Sequence, residues 1–237
     1  MKLTSRFLII PALLAGLQAA SAADITGTVT LNGTPPPEQV NTHISNDPIC
    51  GKLHSEPVKT QFFVVGPKGE LKDVVVTLKG APAKSGGESA APALVDQTKC
   101  EYVPYVMAVQ TGQKILVKNS DPVMHNVHPT PKVAGNKEEN KAQMAGGADL
   151  TFSFANPEKF LKFQCNVHDW MFAYVTVVDS PYFAVTDKDG NFKIANVPAG
   201  KYTVEVAHRK AGATTKEVEV KDGGAKVDFT LDAPKPQ

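Results

Sequence analysis

Arginine is almost missing from this chain. Of its 25 basic residues only Arg6 and Arg209 are arginines, and the rest are lysines. The planar guanidinium fork is what phosphate and nucleic-acid recognition favours, so its scarcity argues against a nucleic-acid partner. An excess of charge is missing too, since the formal net charge is +1 over 237 residues. Cysteine occurs three times and tryptophan once, at Trp170. Past the first 22 residues no stretch is apolar or long enough to span a membrane, so no span is expected in the mature chain. Long amphipathic helical periodicity is also absent, which turns attention to strands.

What is present begins with a processing signal. Lys2 and Arg6 precede the short apolar run Phe7 to Leu17, and Ala20-Ser21-Ala22 is a small-residue cleavage site. Residues 1–22 therefore read as a signal peptide, cleaved before Ala23. No cysteine follows the cut, so a lipid anchor is not indicated. Export places the chain in an oxidising compartment, expected to be the periplasm, where thiols pair. Cys50, Cys100 and Cys165 are an odd number. If Cys165 holds a metal, Cys50 and Cys100 form the natural disulfide.

The mature chain is a series of short alternating runs with turns between them. Ile25 to Leu31, Phe62 to Val65, Val74 to Leu78, Tyr102 to Gln110, Lys114 to Lys118, Leu150 to Phe154, Leu161 to Cys165 and Phe172 to Val178 read as strands. Residues 80–93 are rich in Gly, Ala, Ser and Pro and read as a loop, and residues 130–148 read as a polar surface excursion. Further on, Phe183 to Thr186, Phe192 to Ile194 and Tyr202 to Val206 follow the same pattern. Glu217 to Val220 and Val227 to Leu231 are expected to pair across Asp222-Gly223-Gly224. An all-β protein built of β-sandwiches follows.

Chemistry concentrates in Cys165-Asn166-Val167-His168-Asp169-Trp170-Met171, between two of these strands. A thiolate, an imidazole and a thioether recur at three-residue spacing, and Cys165 points inward at a strand end. Thiolate and thioether suit Cu(I), while imidazole suits either copper state, so the set reads as a His₂Cys copper site with a weak axial Met. A structural zinc site would ordinarily have another Cys or His where Met171 stands. The second imidazole comes from His125 or His128. On an extended strand these point to opposite faces, so only one reaches the metal. Asn126 is placed to steady the ligand loop by a hydrogen bond. His43, His54 and His208 are scattered and read as surface or loop residues. The six histidines include no His-x-His pair, which argues against a multinuclear copper enzyme. A single site filled by four protein donors has no open position for substrate, so no catalysis is expected.

Met124-His125-Asn126-Val127-His128 and the Cys-x₂-His-x₂-Met loop at 165–171 resemble the cupredoxin family of type 1 blue copper proteins, in its amicyanin-like form. Tyr102-Val103-Pro104, Gly112 and Asn119 resemble the usual entry to that fold. The resemblance implies a Greek-key β-sandwich, one type 1 copper and the ligands His125, Cys165, His168 and Met171. It also implies that the imidazole edge of His168, with Trp170 beside it, faces redox partners. Met124 stands where amicyanin has proline. The flanks differ: Asp189 to Ile194 and Val197 to Val204 resemble a carboxypeptidase regulatory-like (transthyretin-like) sandwich, whose opening strands resemble Gly27-Thr28-Val29 and Val76-Thr77-Leu78.

The organisation expected is a signal peptide over 1–22, a first part of the regulatory-like sandwich with linker over 23–93, a cupredoxin unit over 94–178 and the rest of the regulatory-like sandwich over 179–237. The function implied is single-electron transport between periplasmic or membrane redox partners, a dehydrogenase or a cytochrome. The alternatives are non-redox copper handling and a structural, carbohydrate- or surface-binding role.

Overall fold

The computed structural model describes residues 22–80 and 83–235. Of the signal-peptide reading only Ala22 falls inside them, and the rest lies outside the described residues. Among the described residues the single α-helix is the five-residue Thr42–Asn46, and no helix is long and apolar enough to cross a membrane. The chain is all-β, in two packed sandwiches with separate apolar cores.

One sandwich joins the chain's beginning to its end. In one layer Ala22–Asn32 pairs antiparallel with Asn191–Pro198 and parallel with Ala225–Lys226 and Phe229–Asp232. In the other, Phe183–Val185, Val75–Lys79, Gly200–His208 and Gly212–Val220 lie side by side, all antiparallel. Alternation drives this assembly. Ile25, Val29 and Leu31 face Val74, Val76, Val204, Val206 and Phe229 in one core, while intervening residues such as Thr26 are exposed. Gly27 takes its place on the buried face because a Cβ there would lie 1.9 Å from the Val227 carbonyl oxygen.

The other sandwich is built from the stretch between. One sheet runs Val106–Gln110, Phe172–Val178, Glu158–Gln164, His125–Thr130, Lys141–Gln143. The facing sheet runs Glu101–Val103, Ala93–Thr98, Ile115–Asn119, Leu150–Phe152. Phe163 is fully buried between them, with the rings of Phe152 and Phe154 edge-on at 5.7 and 6.0 Å. The two sandwiches meet where Val75 packs with Val106 and Tyr174. There the Arg209 guanidinium lies over the Tyr174 ring, 4.2 Å from its centroid.

Several sequence expectations are corrected. Glu217 to Val220 and Val227 to Leu231 do not form a hairpin: Gly212–Val220 pairs with Gly200–His208, whereas Phe229–Asp232 pairs with Ala22–Asn32 in the opposite layer. The Asp222-Gly223-Gly224 turn carries the chain from one sheet to the other. Phe62 to Val65 is not a strand and makes only an isolated bridge from Val65 to Leu71. Tyr102 to Gln110 is two strands that break around Pro104, which has no N–H to donate. Ala93–Thr98, the end of the expected loop and the residues after it, is a strand parallel to Ile115–Asn119. The polar excursion contributes Lys141–Gln143, which flanks His125–Val127.

Candidate metal centre

Two neighbouring strands and one loop bring the donors together. Leu161 and Phe163 are buried in alternation along Glu158–Gln164, and the same alternation turns Cys165 inward. From there the loop closes on itself: Cys165 N–H donates to the Met171 carbonyl and Met171 N–H to that of His168, both at 2.9 Å. The adjacent strand begins at His125, with Gln164 paired opposite His128. His125, Cys165, His168 and Met171 are all buried.

Their donor atoms converge. His125 Nδ1 and His168 Nδ1 are 2.9 Å apart, and Cys165 Sγ lies 3.7 Å from His168 Nδ1. The ligand atoms of all three residues lie within 4.8 Å of one another. Such spacing suits donors sharing one ion with bonds of about 2.0–2.3 Å, as for zinc bound by nitrogen and sulfur. Met171 packs in the same core as Cys165. The arrangement can therefore hold a soft or borderline metal ion.

Asn126 lies against the thiol. Its N–H donates to Cys165 Sγ at 3.5 Å, and its side-chain oxygen accepts from Asn166 N–H at 2.6 Å. His128 turns the other way, to Asn166 and to the Glu138 carboxylate at 2.9 and 2.7 Å. Cys50 and Cys100 are joined by a disulfide, and Cys165 is the free cysteine among the described residues. His43 is exposed and His54 half-buried. His208, read from the sequence as a surface or loop residue, is buried at the end of a strand instead. Its ring stacks on Phe63 with centroids 5.1 Å apart, and its Nδ1 accepts from Ala211 N–H at 3.1 Å.

The protein matrix biases Cys165 and His168 toward the deprotonated forms that bind metal, and His125 toward its protonated form, whose proton a metal would have to displace. Burial alone would raise the Cys165 pKa, yet it is lowered, because hydrogen bonds from His125 and the backbone N–H groups of Asn126, His168 and Val167 favour the thiolate. Burial would lower the His125 pKa, but hydrogen bonds to Asp121 and Cys165 outweigh it and the value rises. Burial and then the neighbouring His125 charge push His168 down.

Sequence reasoning missed Asp121. Its carboxylate accepts from His125 Nε2 at 2.9 Å and from the N–H groups of Lys99 and Cys100 at 2.5 and 2.7 Å. This leaves His125 Nδ1 as the nitrogen free for a metal. The available signal was an acidic residue in the turn four positions before His125. A second correction concerns exposure. The expected open edge at His168 is covered: His168 is 8% exposed, and the half-buried Trp170 ring lies 5.1 Å from it, centroid to centroid.

Residues 171–232 match the family model of the carboxypeptidase regulatory-like domain. Among solved structures, a Cu(I) form of an amicyanin variant resembles the chain at 19% identity and a TM-score of 0.33, covering 43% of this chain and 97% of that one. A Cu-containing nitrite reductase from Thermus scotoductus SA-01 resembles it at 17% identity and a TM-score of 0.35, covering 44% of this chain and 25% of that one. No curated protein matches the sequence. The regulatory-like part of the resemblance read from the sequence thus recurs in the family match.

Proposed function

We propose that this is an exported type 1 copper protein that carries single electrons between redox partners in the periplasm or at its membrane, a dehydrogenase or a cytochrome. The observation that carries the reading is the convergence of one buried thiol and two imidazole nitrogens within 4.8 Å. His125, Cys165 and His168 would hold the copper, and Met171 would be its weak fourth ligand. Bound there, copper supplies a one-electron couple between Cu(I) and Cu(II).

The chain's own residues keep that couple reversible. Asp121 fixes the His125 ring, Asn126 and Asn166 tie the two ligand segments together, and Phe163 anchors the strand that delivers Cys165. A rigid, buried donor set rearranges little between oxidation states. Four protein donors also leave no vacant position, which argues for a carrier and against a catalyst.

In this reading residues 1–22 are a signal peptide. The copper unit, about residues 94–178, is inserted into the regulatory-like sandwich formed by 23–93 and 179–237. Strand pairing between Ala22–Asn32 and both Asn191–Pro198 and Phe229–Asp232 supports that nesting. Repeated cycling of the copper-loaded protein with a one-electron donor and acceptor tests the function. A carrier keeps one copper per chain through many cycles, whereas a copper-delivery protein loses Cu(I) to an added acceptor protein or chelator.

A further inference from the structure

The edge of His168 is covered by a part of the chain that belongs to neither sheet of the copper-bearing sandwich. Residues 41–58 leave and rejoin the body at a narrow neck, where Val40 bridges Lys59 and Asn41 N–H donates to the Val58 carbonyl at 2.8 Å. Between these points lie the short helix Thr42–Asn46, capped by the Asn41 side chain, and a 3₁₀ turn at Cys50–Leu53. Its ends are closed on each other, and Ile44 and Cys50 pack together inside it, so the segment is a compact unit.

Five contacts seat this loop on the ligand loop and on the neighbouring turn at Lys99 and Cys100. Cys50 is bonded to Cys100. Ile44, Cys50 and Cys100 form an apolar cluster against which Trp170 packs, and the Trp170 indole N–H donates to the Cys100 carbonyl at 3.1 Å. His43 Nδ1 meets the Asp169 carboxylate at 3.0 Å. His54 Nε2 lies 2.7 Å from the Lys99 carbonyl oxygen. The Asp47 carboxylate, held by the N–H groups of Ile49 and Cys50, comes within 4.8 Å of a His168 ring nitrogen. His168 thus has Trp170 on one side and the Asp47–Cys50 turn on another.

We propose that the loop 41–58 is a built-in cover over the His168 edge of the metal centre, an autoinhibitory contact that holds small redox reagents and foreign ligands off that imidazole. The electron-exchange part of this proposal rests on the copper reading above, while the cover itself does not. The disulfide makes the cover persistent, because the loop cannot swing away while Cys50 stays bonded to Cys100. Exchange with small molecules through His168 is therefore slow, and a partner that uses this edge has to engage or shift the loop.

The cover is tested first on the metal-free protein with diethyl pyrocarbonate, reading each histidine by peptide mass spectrometry. His43, whose side chain is 65% exposed, reacts and serves as the internal standard, while His168 stays protected. In Cys50→Ala/Cys100→Ala the loop loses its covalent pin, and His168 labelling relative to His43 rises by at least about tenfold. Ile44→Ser keeps the disulfide and removes an apolar contact under Trp170, so it gives a smaller rise in the same direction and serves if the double variant does not fold. In the copper-loaded protein, hexacyanoferrate(III) takes one electron from Cu(I) and becomes hexacyanoferrate(II). That oxidation accelerates in the same variants while the blue absorption is unchanged. Equal labelling of His168 and His43 in the parent overturns the cover. Labelling that rises without faster oxidation overturns its role in electron exchange. A colourless copper-loaded parent overturns the copper reading and the exchange role with it, and labelling then decides the cover alone.

Discussion

Asp121 holds the outer nitrogen of His125 at 2.9 Å and at the same time accepts the backbone N–H of Cys100. One buried carboxylate thereby joins a candidate metal ligand to the disulfide that pins the covering loop. Carboxylates in this position set the ring's tautomer and orientation, and removing such a partner costs about 10–100-fold in metal affinity. Asp121→Asn is expected to weaken copper binding by that order, measured by competition with a chelator of known affinity. Unchanged affinity would mean that His125 is positioned without it.

The disulfide closes a loop of sequence separation 50. Bridges of this kind contribute about 2–4 kcal/mol. Denaturant unfolding of Cys50→Ala/Cys100→Ala is expected to show a loss of that size. A loss near zero would mean that packing of Ile44 and Trp170 alone seats the loop.

His208 gives a sign to the acid limb of stability. Its pKa is pushed from 6.5 down to about 4, by burial first and by the Arg209 charge second. The folded protein therefore keeps His208 neutral where the unfolded chain protonates it. The contribution is complete above about pH 6.5 and is lost as pH falls from there toward 4, where the loss amounts to roughly 3 kcal/mol. Unfolding free energies measured between pH 7 and 4 should fall in that window, with a shallower fall in His208→Gln. Identical slopes would remove His208 from the account.

Much of the candidate metal site was legible because its chemistry is local in sequence. Three of the candidate donors share one seven-residue loop, and the Leu161, Phe163, Cys165 alternation sets the direction of the thiol. Asp121 was not legible, because what matters is a turn that folds it back on His125 and on two backbone N–H groups. The cover over His168 depends on Cys50, Ile44 and Trp170, which lie more than a hundred residues apart at their extremes and meet only in the folded chain. Ala93–Thr98 hid its strand character behind Gln97, a buried amide paired with Gln143 at 2.5 Å. Glu217 to Val220 and Val227 to Leu231 looked like a hairpin because alternation reports that a residue faces a core without saying which sheet supplies it.

Phe163 tests the link between core and site. It is fully buried between Phe152 and Phe154 on the strand that ends at Cys165. Phe163→Ala is expected to cost about 3–5 kcal/mol in denaturant unfolding. A cost under about 1 kcal/mol, the scale of a well-tolerated volume-conserving swap, would contradict the packing described.

The most direct measurement is the visible absorption of the protein loaded with one equivalent of Cu(II), beside Cys165→Ser treated identically. A thiolate bound to Cu(II) in a constrained His₂Cys site gives an intense blue charge-transfer band. The expected result is that band in the parent and its complete loss in Cys165→Ser. A parent that binds no copper or gives only a pale spectrum, or a band that survives in Cys165→Ser, would contradict the assignment of the centre.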